Sequence, residues 1–168
     1  MAVTSLAQLT AIVTLILEYP GGLNVLTGRM GPPSPEDLYQ LVESCKQPLD
    51  DLGVRIGGSG GTSPLAERII TLADTFDGIV SRFGGWAHII DSTNEWAAIN
   101  PNSWRMVVQY HRWVKNGRNR SRQDGPQLER IAGMCGTSKE TLCRLVKRLP
   151  EELAESILRA PIERREAV

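Results

Sequence analysis

Apolar residues recur at intervals of three and four along most of this chain, and this spacing constrains the fold more than any other feature of the sequence. The first such run predicts a helix from Ser5 to Glu18, with apolar positions at Leu6, Leu9, Ile12, Val13, Ile16 and Leu17. The Tyr19–Gly22 segment is expected to end this helix, and a Gly- and Pro-rich loop over residues 21–33 is expected to follow it. No segment alternates apolar and polar residues over enough positions to require a strand. The sequence therefore predicts an all-α fold, with at most a short hairpin whose position the pattern does not define.

Two Ser-Pro pairs mark the starts of further helices. Ser34 and Ser63 each precede a proline; Ser suits the N-cap of a helix, and Pro suits its first position. The helix after Ser34 is expected to end before Pro48, and the helix after Ser63 is expected to loosen or end at Gly84-Gly85. Another helix is expected from Ser103 to Lys115.

A run of glycines separates the helices that follow the two Ser-Pro pairs. Residues 57–61 are Gly-Gly-Ser-Gly-Gly, without the Lys-Ser/Thr pair of a Walker motif or the spacing of a dinucleotide fingerprint. We interpret this run as a flexible link, not as a phosphate-binding loop. We expect three segments: an N-terminal helical region with the link over residues 1–62, a central helical body over 63–115, and a C-terminal part over 116–168.

Charge is distributed unevenly along the chain, although the formal net charge is zero. Residues 1–100 contain 5 Lys and Arg against 11 Asp and Glu, whereas residues 101–148 contain 11 against 3. One compact basic block on an otherwise acidic chain is typical of a protein with a single surface for a polyanion. The distribution favours nucleic acid as the partner over a merely solvated charged face.

The cysteines and the first predicted helix indicate a reducing, aqueous compartment. Cys45, Cys135 and Cys143 show neither a pairing pattern nor zinc spacing, and the two histidines lie far from them in sequence. The apolar run over residues 6–17 is short, is interrupted by Gln and Thr, and lacks a basic leader and a cleavage site. We expect a cytoplasmic protein without a metal site or a membrane span, in which this run is a core helix.

The most specific pattern in the chain is a helix-turn-helix over about residues 127–149. A short helix from Gln127 to Gly136 is followed by Thr137–Glu140, which has the form of a capping box, and by a second helix from Ser138 to Leu149 that Pro150 is expected to stop. Two helices that cross steeply through a tight turn need a small residue at their contact, a Gly in the turn and apolar inner faces. The residues that meet these needs are Ala132 for the contact, Gly136 for the turn, and Leu128, Ile131, Cys135, Leu142 and Leu145 for the seam.

The outward positions of the second helix are expected to meet the major groove of double-stranded DNA or its flanking phosphates. The predicted set is Ser138, Lys139, Glu140, Cys143, Arg144, Lys147 and Arg148. Arg144 is suited to a bidentate contact with guanine, and Glu140 is suited to accept from the amino group of cytosine. The two lysines and Arg148 are suited to phosphates, which position a protein without specifying sequence.

A basic stretch precedes the helix-turn-helix, with cations at Arg112, Lys115, Arg118, Arg120 and Arg122. The Asn, Gly and Ser residues between them do not favour a continuous helix, so we expect an arm that contacts backbone phosphates or the minor groove. The neighbouring aromatic residues offer an alternative, stacking on single-stranded bases, although aromatics at helical spacing more often belong to a core. These aromatic residues are Trp104, Tyr110, His111 and Trp113.

Residues 80–99 resemble part of a known family. Val80-Ser-Arg-Phe-Gly-Gly-Trp-Ala87, with Ser92, Glu95-Trp96 and Ile99, is similar to the R-(W/F)-G-x-W-A…(D/E)-W-x-x-I stretch of one class of phage Q-type antitermination proteins. That class also carries a C-terminal helix-turn-helix akin to sigma-factor region 4. The present chain differs in having about eighty residues before the motif and a shorter span after it. The alternative is that these aromatic residues form the core of an unrelated fold.

The resemblance implies a late-gene regulator in the host cytoplasm. Such a protein binds DNA near a promoter, loads onto RNA polymerase with its sigma factor, and makes the polymerase ignore terminators. The acidic helical body would then face the polymerase.

Three other classes of function are alternatives to this one. A simple repressor or activator would dimerise and prefer a palindrome, whereas a small terminase-like packaging adaptor would form a ring and bind DNA with weak sequence preference. An enzyme is not expected, because no nucleophile, paired-carboxylate or metal motif occurs. No cofactor and no small-molecule substrate are expected either.

Overall fold

Helices account for all the regular structure in the part of the chain that the computed structural model describes, residues 4–45, 64–115 and 124–161. They are α1 Ser5–Glu18, α2 Gly22–Thr27, α3 Pro35–Cys45, α4 Leu65–Arg82, α5 Gly85–Ile99, α6 Pro101–Tyr110 followed by a π-helical turn His111–Lys115, α7 Asp124–Met134 and α8 Lys139–Arg159. The all-α prediction is confirmed, and no strand or hairpin occurs in these three ranges. None of the helices in them has the length and apolar character that a membrane crossing requires.

Helix α1 lies at the centre of the core, with the bounds that its periodicity predicts. Thr4 begins it, because its side-chain oxygen accepts a hydrogen bond from the Ala7 N–H at 3.1 Å. Its buried residues occupy more than one face: Leu9, Ala11, Ile12, Val13, Leu15, Ile16 and Leu17. A helix that is apolar almost all round must be enclosed by other elements, and α2, α3 and α8 pack against it.

The Ser34 prediction is confirmed, whereas Ser63 and the glycine-rich residues 57–61 lie outside the described residues. The Oγ atom of Ser34 accepts a hydrogen bond from the Asp37 N–H at 3.2 Å and so begins α3. Helix α3 packs against α4, which ends at Arg82 before the two left-handed glycines at 84 and 85. The predicted break after α4 is therefore confirmed.

Helix α2 lies where the sequence predicted only a loop over residues 21–33, so that prediction was wrong. Gly21, with φ +76°, turns the chain after α1, and the short helix then places Val25 and Leu26 in the core. The Gly and Pro residues that suggested a loop make the turns on either side of α2. The burial of Val25 and Leu26 stabilises this short helix although turn signals flank it on both sides.

Helix α5 was not predicted either, because its sequence combines tryptophans with Gly, Asn and Ser turn signals. One face of it enters the core, with Ile89, Ser92, Thr93 and Trp96 buried. Helices α2, α4 and α8 pack against α5, so tertiary contacts decide its conformation over local propensity.

Helix α8 is longer than predicted, because it continues through Pro150 to Arg159 and does not end at Leu149. A proline inside a helix removes one N–H donor and costs about 3 kcal/mol relative to alanine. The turns beyond it bury three side chains in the interface with α1 and α5, namely Leu153, Ala154 and Ile157. Each buried Leu or Ile contributes about 1.5–3 kcal/mol, which offsets the cost of the proline.

The three predicted segments all contribute to one main hydrophobic core. Buried residues of α1, α2 and α3 meet those of α4, α5 and α6, and of α8 from Leu145 onward, in a single cluster. A second, smaller cluster lies between α7 and the first turns of α8. The two clusters adjoin at Met106 of α6, which packs against both.

Candidate nucleic-acid interface

Helix α7 ends in a turn that requires glycine. Gly136 has φ +69° and its N–H donates to the Gly133 oxygen at 3.1 Å, while the Thr137 N–H donates to the Ala132 oxygen at 2.8 Å. These two bonds form a Schellman motif, in which the residue just past the helix takes the left-handed conformation. The predicted place of Gly136 in the turn is confirmed.

The first residue of the next helix is set by Ser138 and not by the predicted capping box of Thr137 and Glu140. The backbone of Ser138 is extended, with φ −91° and ψ 157°, and its Oγ accepts a hydrogen bond from the Thr141 N–H at 3.2 Å. A capping box of Thr137 and Glu140 also needs the Thr137 N–H for the Glu140 side chain, and that N–H instead donates to the Ala132 oxygen. The predicted N-cap, Thr137, was therefore wrong by one residue, because Ser138 is the N-cap of α8.

The contact between α7 and α8 forms around a small residue, as predicted. Ala132 is 1% exposed and Leu142 is 0% exposed, and both belong to the smaller hydrophobic cluster with Ile131. Leu128 and Cys135 are half-buried against the same cluster, while Leu145 belongs to the main core. The predicted seam residues thus all face inward, although they are divided between two clusters.

A guanidinium group fixes the end of α7 to α6. The Nη2 atom of Arg105 donates a hydrogen bond to the main-chain oxygen of Met134 at 3.1 Å. The last carbonyl groups of a helix have no partner within the helix, so this bond satisfies one of them. Sequence reasoning assigned Arg105 no role, and its only signal there was membership of the basic block.

The first half of α8 presents a row of exposed polar side chains, which we call the α8 face: Glu140, Cys143, Arg144 and Lys147. Positions 140, 144 and 147 are spaced by four and three residues, so they lie on one side of the helix. Within the described part of the chain, Arg144 and Lys147 make no hydrogen bond or ion pair with another residue. Their donors are available to a ligand.

The remaining predicted DNA-contacting residues of this helix differ in their setting. Arg148 is exposed beside the α8 face, but Lys139 is half-buried. The Oγ atom of Ser138 caps the helix and lies 2.9 Å from the Thr141 Oγ1 atom, so it is less available to a base than the sequence suggested. The structure therefore brings together Glu140, Cys143, Arg144, Lys147 and Arg148 from the predicted set.

The predicted basic arm is described only at its start. Arg112 is exposed, and its guanidinium carbon lies 5.4 Å from the centroid of the Trp113 ring. Lys115 is the last residue of the π-helical turn, and its side chain lies outside the description. Arg118, Arg120 and Arg122 lie outside the described residues altogether.

Most of the aromatic residues singled out in the sequence pack into the body. Trp104 meets the buried Trp96 edge-on at 6.3 Å between ring centroids, and Trp86 meets Phe76 at 6.1 Å. The aromatic residues of the motif therefore pack in this fold, whereas its Ile99 is 69% exposed. Trp113 differs from them because it is 48% exposed.

The α8 face offers charged and hydrogen-bonding groups to a ligand. Among the described residues, no group of three or more His, Cys, Asp or Glu side chains is placed to hold a metal ion. A cleft of about 460 Å³ lies elsewhere, between α5 and the end of α8, and it is lined in part by His88, Asp91 and Ser92. Comparison of the chain with protein-family models, curated proteins and solved structures returned no match.

Proposed function

We propose that this protein is a sequence-specific DNA-binding transcription regulator in which α7, the turn and the first half of α8 act as a helix-turn-helix. The observation that carries the proposal is that Ala132 of α7 packs in one cluster with Leu142 of α8, and that the left-handed Gly136 makes the turn between the two helices. This packing supports a steep crossing in which the second helix projects one polar face. That face is the α8 face, with Glu140, Cys143, Arg144 and Lys147.

The side chains on the α8 face match the two kinds of contact that DNA recognition needs. The guanidinium of Arg144 presents paired donors for the O6 and N7 acceptors of guanine, and the Glu140 carboxylate accepts from cytosine N4. Lys147 and Arg148 stand beside them as cations for the flanking phosphates. Arg144 and Glu140 therefore read sequence, and the other two contribute affinity that falls with added salt.

The length of α8 supports this function, because one rigid helix joins the DNA-facing residues to the main core. Leu149, directly before Pro150, is buried in that core, and so are Leu153 and Ile157 beyond it. The N-terminal half of the helix is thereby held at a fixed angle to the body. Base-edge recognition requires such fixed placement of the reading side chains.

The narrower assignment, an antitermination factor that loads onto RNA polymerase and sigma factor, rests on the resemblance of residues 80–99. The acidic residues of the body supply its proposed polymerase-facing surface. A simple repressor or activator would use the same α8 face. A packaging adaptor is separated from both by its ring assembly and weak sequence preference.

Selection from a pool of random DNA duplexes tests the proposed function. The proposal predicts that the wild-type protein enriches one sequence motif with at least one G·C pair, and that the Arg144→Ala protein no longer enriches that pair. Native mass spectrometry of the complex then separates a monomer or dimer on one site from a ring. Failure to enrich any motif, with binding equal on all duplexes, would contradict sequence-specific recognition.

A further inference from the structure

Trp113 is the exposed aromatic residue next to the α7–α8 pair, and its ring is held in place. Its Nε1 atom donates a hydrogen bond to the Gln109 Oε1 atom at 3.1 Å, one turn earlier in the chain. The guanidinium of Arg112 lies 5.4 Å from the ring centroid. The indole is therefore held in one orientation while 48% of its surface is exposed, which leaves ring area available for stacking.

The ring borders an open notch of about 90 Å³, which we call the Trp113 notch; it is lined by Trp113, Arg130, Ile131 and Met134. Met134 is 52% exposed, so two large apolar side chains meet solvent side by side. Exposed Arg112 and Arg130 flank them. An exposed aromatic ring between cations is suited to a flat ligand that carries negative charge beside it.

We propose that the Trp113 notch binds single-stranded DNA, with one unpaired base stacked on the indole and the adjacent phosphates on Arg112 and Arg130. Aromatic rings beside cations are the usual means by which proteins hold unpaired strands, because every base has a π-face and every phosphate a charge. Charge argues for this occupant, because the two cations beside the ring, Arg112 and Arg130, are both exposed.

The inference rests on the proposed function, because α7 carries both Arg130 and Met134 and is the first helix of the proposed helix-turn-helix. The α8 face would then hold duplex DNA, and the Trp113 notch an unpaired strand beside it. Such a protein favours a junction between paired and melted DNA over either alone.

Fluorescence anisotropy with a short labelled oligo(dT) tests this inference separately from duplex binding. Trp113→Leu is expected to weaken oligo(dT) binding about 5- to 150-fold, the loss of one base stack, while Trp113→Phe retains most of the affinity. Arg144→Ala is expected to leave oligo(dT) binding unchanged and to weaken binding to the selected duplex. Ile99→Ala, which removes another exposed apolar side chain (69% exposed), is the matched control and should change neither.

The outcomes separate the two proposals. Oligo(dT) binding that Trp113→Leu does not weaken, or no oligo(dT) binding by the wild type at low salt, overturns the inference even if the duplex binds. Tighter binding to oligo(rU) assigns the notch to RNA and overturns it as stated. Loss of duplex selection with oligo(dT) binding intact contradicts only the proposed function. Circular dichroism of each variant establishes that a lost signal is not lost folding.

Discussion

The Nη2 atom of Arg105 lies 3.1 Å from the main-chain oxygen of Met134, and this bond connects α6 with the end of α7. Met134 is also the residue that precedes the left-handed turn into α8. The bond thus holds the end of α7 against α6, while α8 is held by its own buried residues in the main core. Arg105 therefore helps to position the first helix of the pair that we propose to bind DNA.

Arg105→Ala is expected to lower the free energy of unfolding by about 1 kcal/mol, because an exposed hydrogen bond to a helix end is lost. It should also weaken duplex binding although Arg105 is not proposed to touch DNA. Urea denaturation and anisotropy measure the two effects. Arg29→Ala removes an exposed arginine without such a bond and serves as control. Equal behaviour of the two variants would contradict the positioning role of Arg105.

Alanine at Gly136 and at Gly133 is expected to have opposite effects on stability. At both positions an added Cβ meets no atom within 4 Å, but only Gly136 has a positive φ, of +69°. Gly136→Ala should cost about 1–2 kcal/mol in free energy of unfolding because of left-handed strain. Gly133→Ala, inside α7, should gain about 0.5–1 kcal/mol. Urea denaturation decides, and a loss at both positions would contradict the geometry of this turn.

Leu142→Ala is expected to destabilise the protein by about 2–5 kcal/mol, because Leu142 is 0% exposed and its removal leaves a cavity between α7 and α8. Leu158→Ala on the same helix is the control, since Leu158 is 41% exposed and should cost far less. Thermal and urea denaturation measure both variants. Similar costs for the two would mean that α7 and α8 do not pack through Leu142.

Pro150→Ala tests whether α8 is one continuous helix. A proline in a helix interior costs up to about 3 kcal/mol relative to alanine, so the substitution should raise the free energy of unfolding by about 1–3 kcal/mol. Helix content by circular dichroism should not fall. If the helix instead ended at Leu149, the substitution would change stability little or would lower it.

Elements with strong periodicity and a side-chain cap were predictable from the sequence. Helix α1 has the bounds that its apolar spacing predicts, and Ser34 begins α3 through the expected bond to the Asp37 N–H. The seam around Ala132 was also predictable, because a small residue, a left-handed glycine and inward apolar positions stand at fixed spacing. In these segments, local propensity and tertiary packing agree.

The misses occur where packing outweighs local signals. Pro150 suggests the end of a helix, but the burial of Leu153 beyond it keeps α8 continuous. The glycines before α2 and α5 do turn the chain, but the sequence did not show that Leu26 and Ile89 beyond them are buried in helices. Arg105 and the Trp113 notch depend on contacts between residues up to 29 positions apart, which periodicity does not report. Thr137 resembled a cap because the Schellman bond that engages its N–H was not visible in the sequence.

The central claim is that Arg144 on the α8 face reads a base in duplex DNA. The most direct measurement is anisotropy of the selected duplex across a salt series, with wild type beside Arg144→Ala and Arg159→Ala. Arg159 is the same residue type near the other end of α8, where it faces Glu155 at 3.9 Å. We predict that Arg144→Ala weakens binding about 5- to 150-fold and abolishes the preference for the selected sequence, whereas Arg159→Ala binds as wild type does. Equal affinity and equal selectivity of the two variants would contradict the claim.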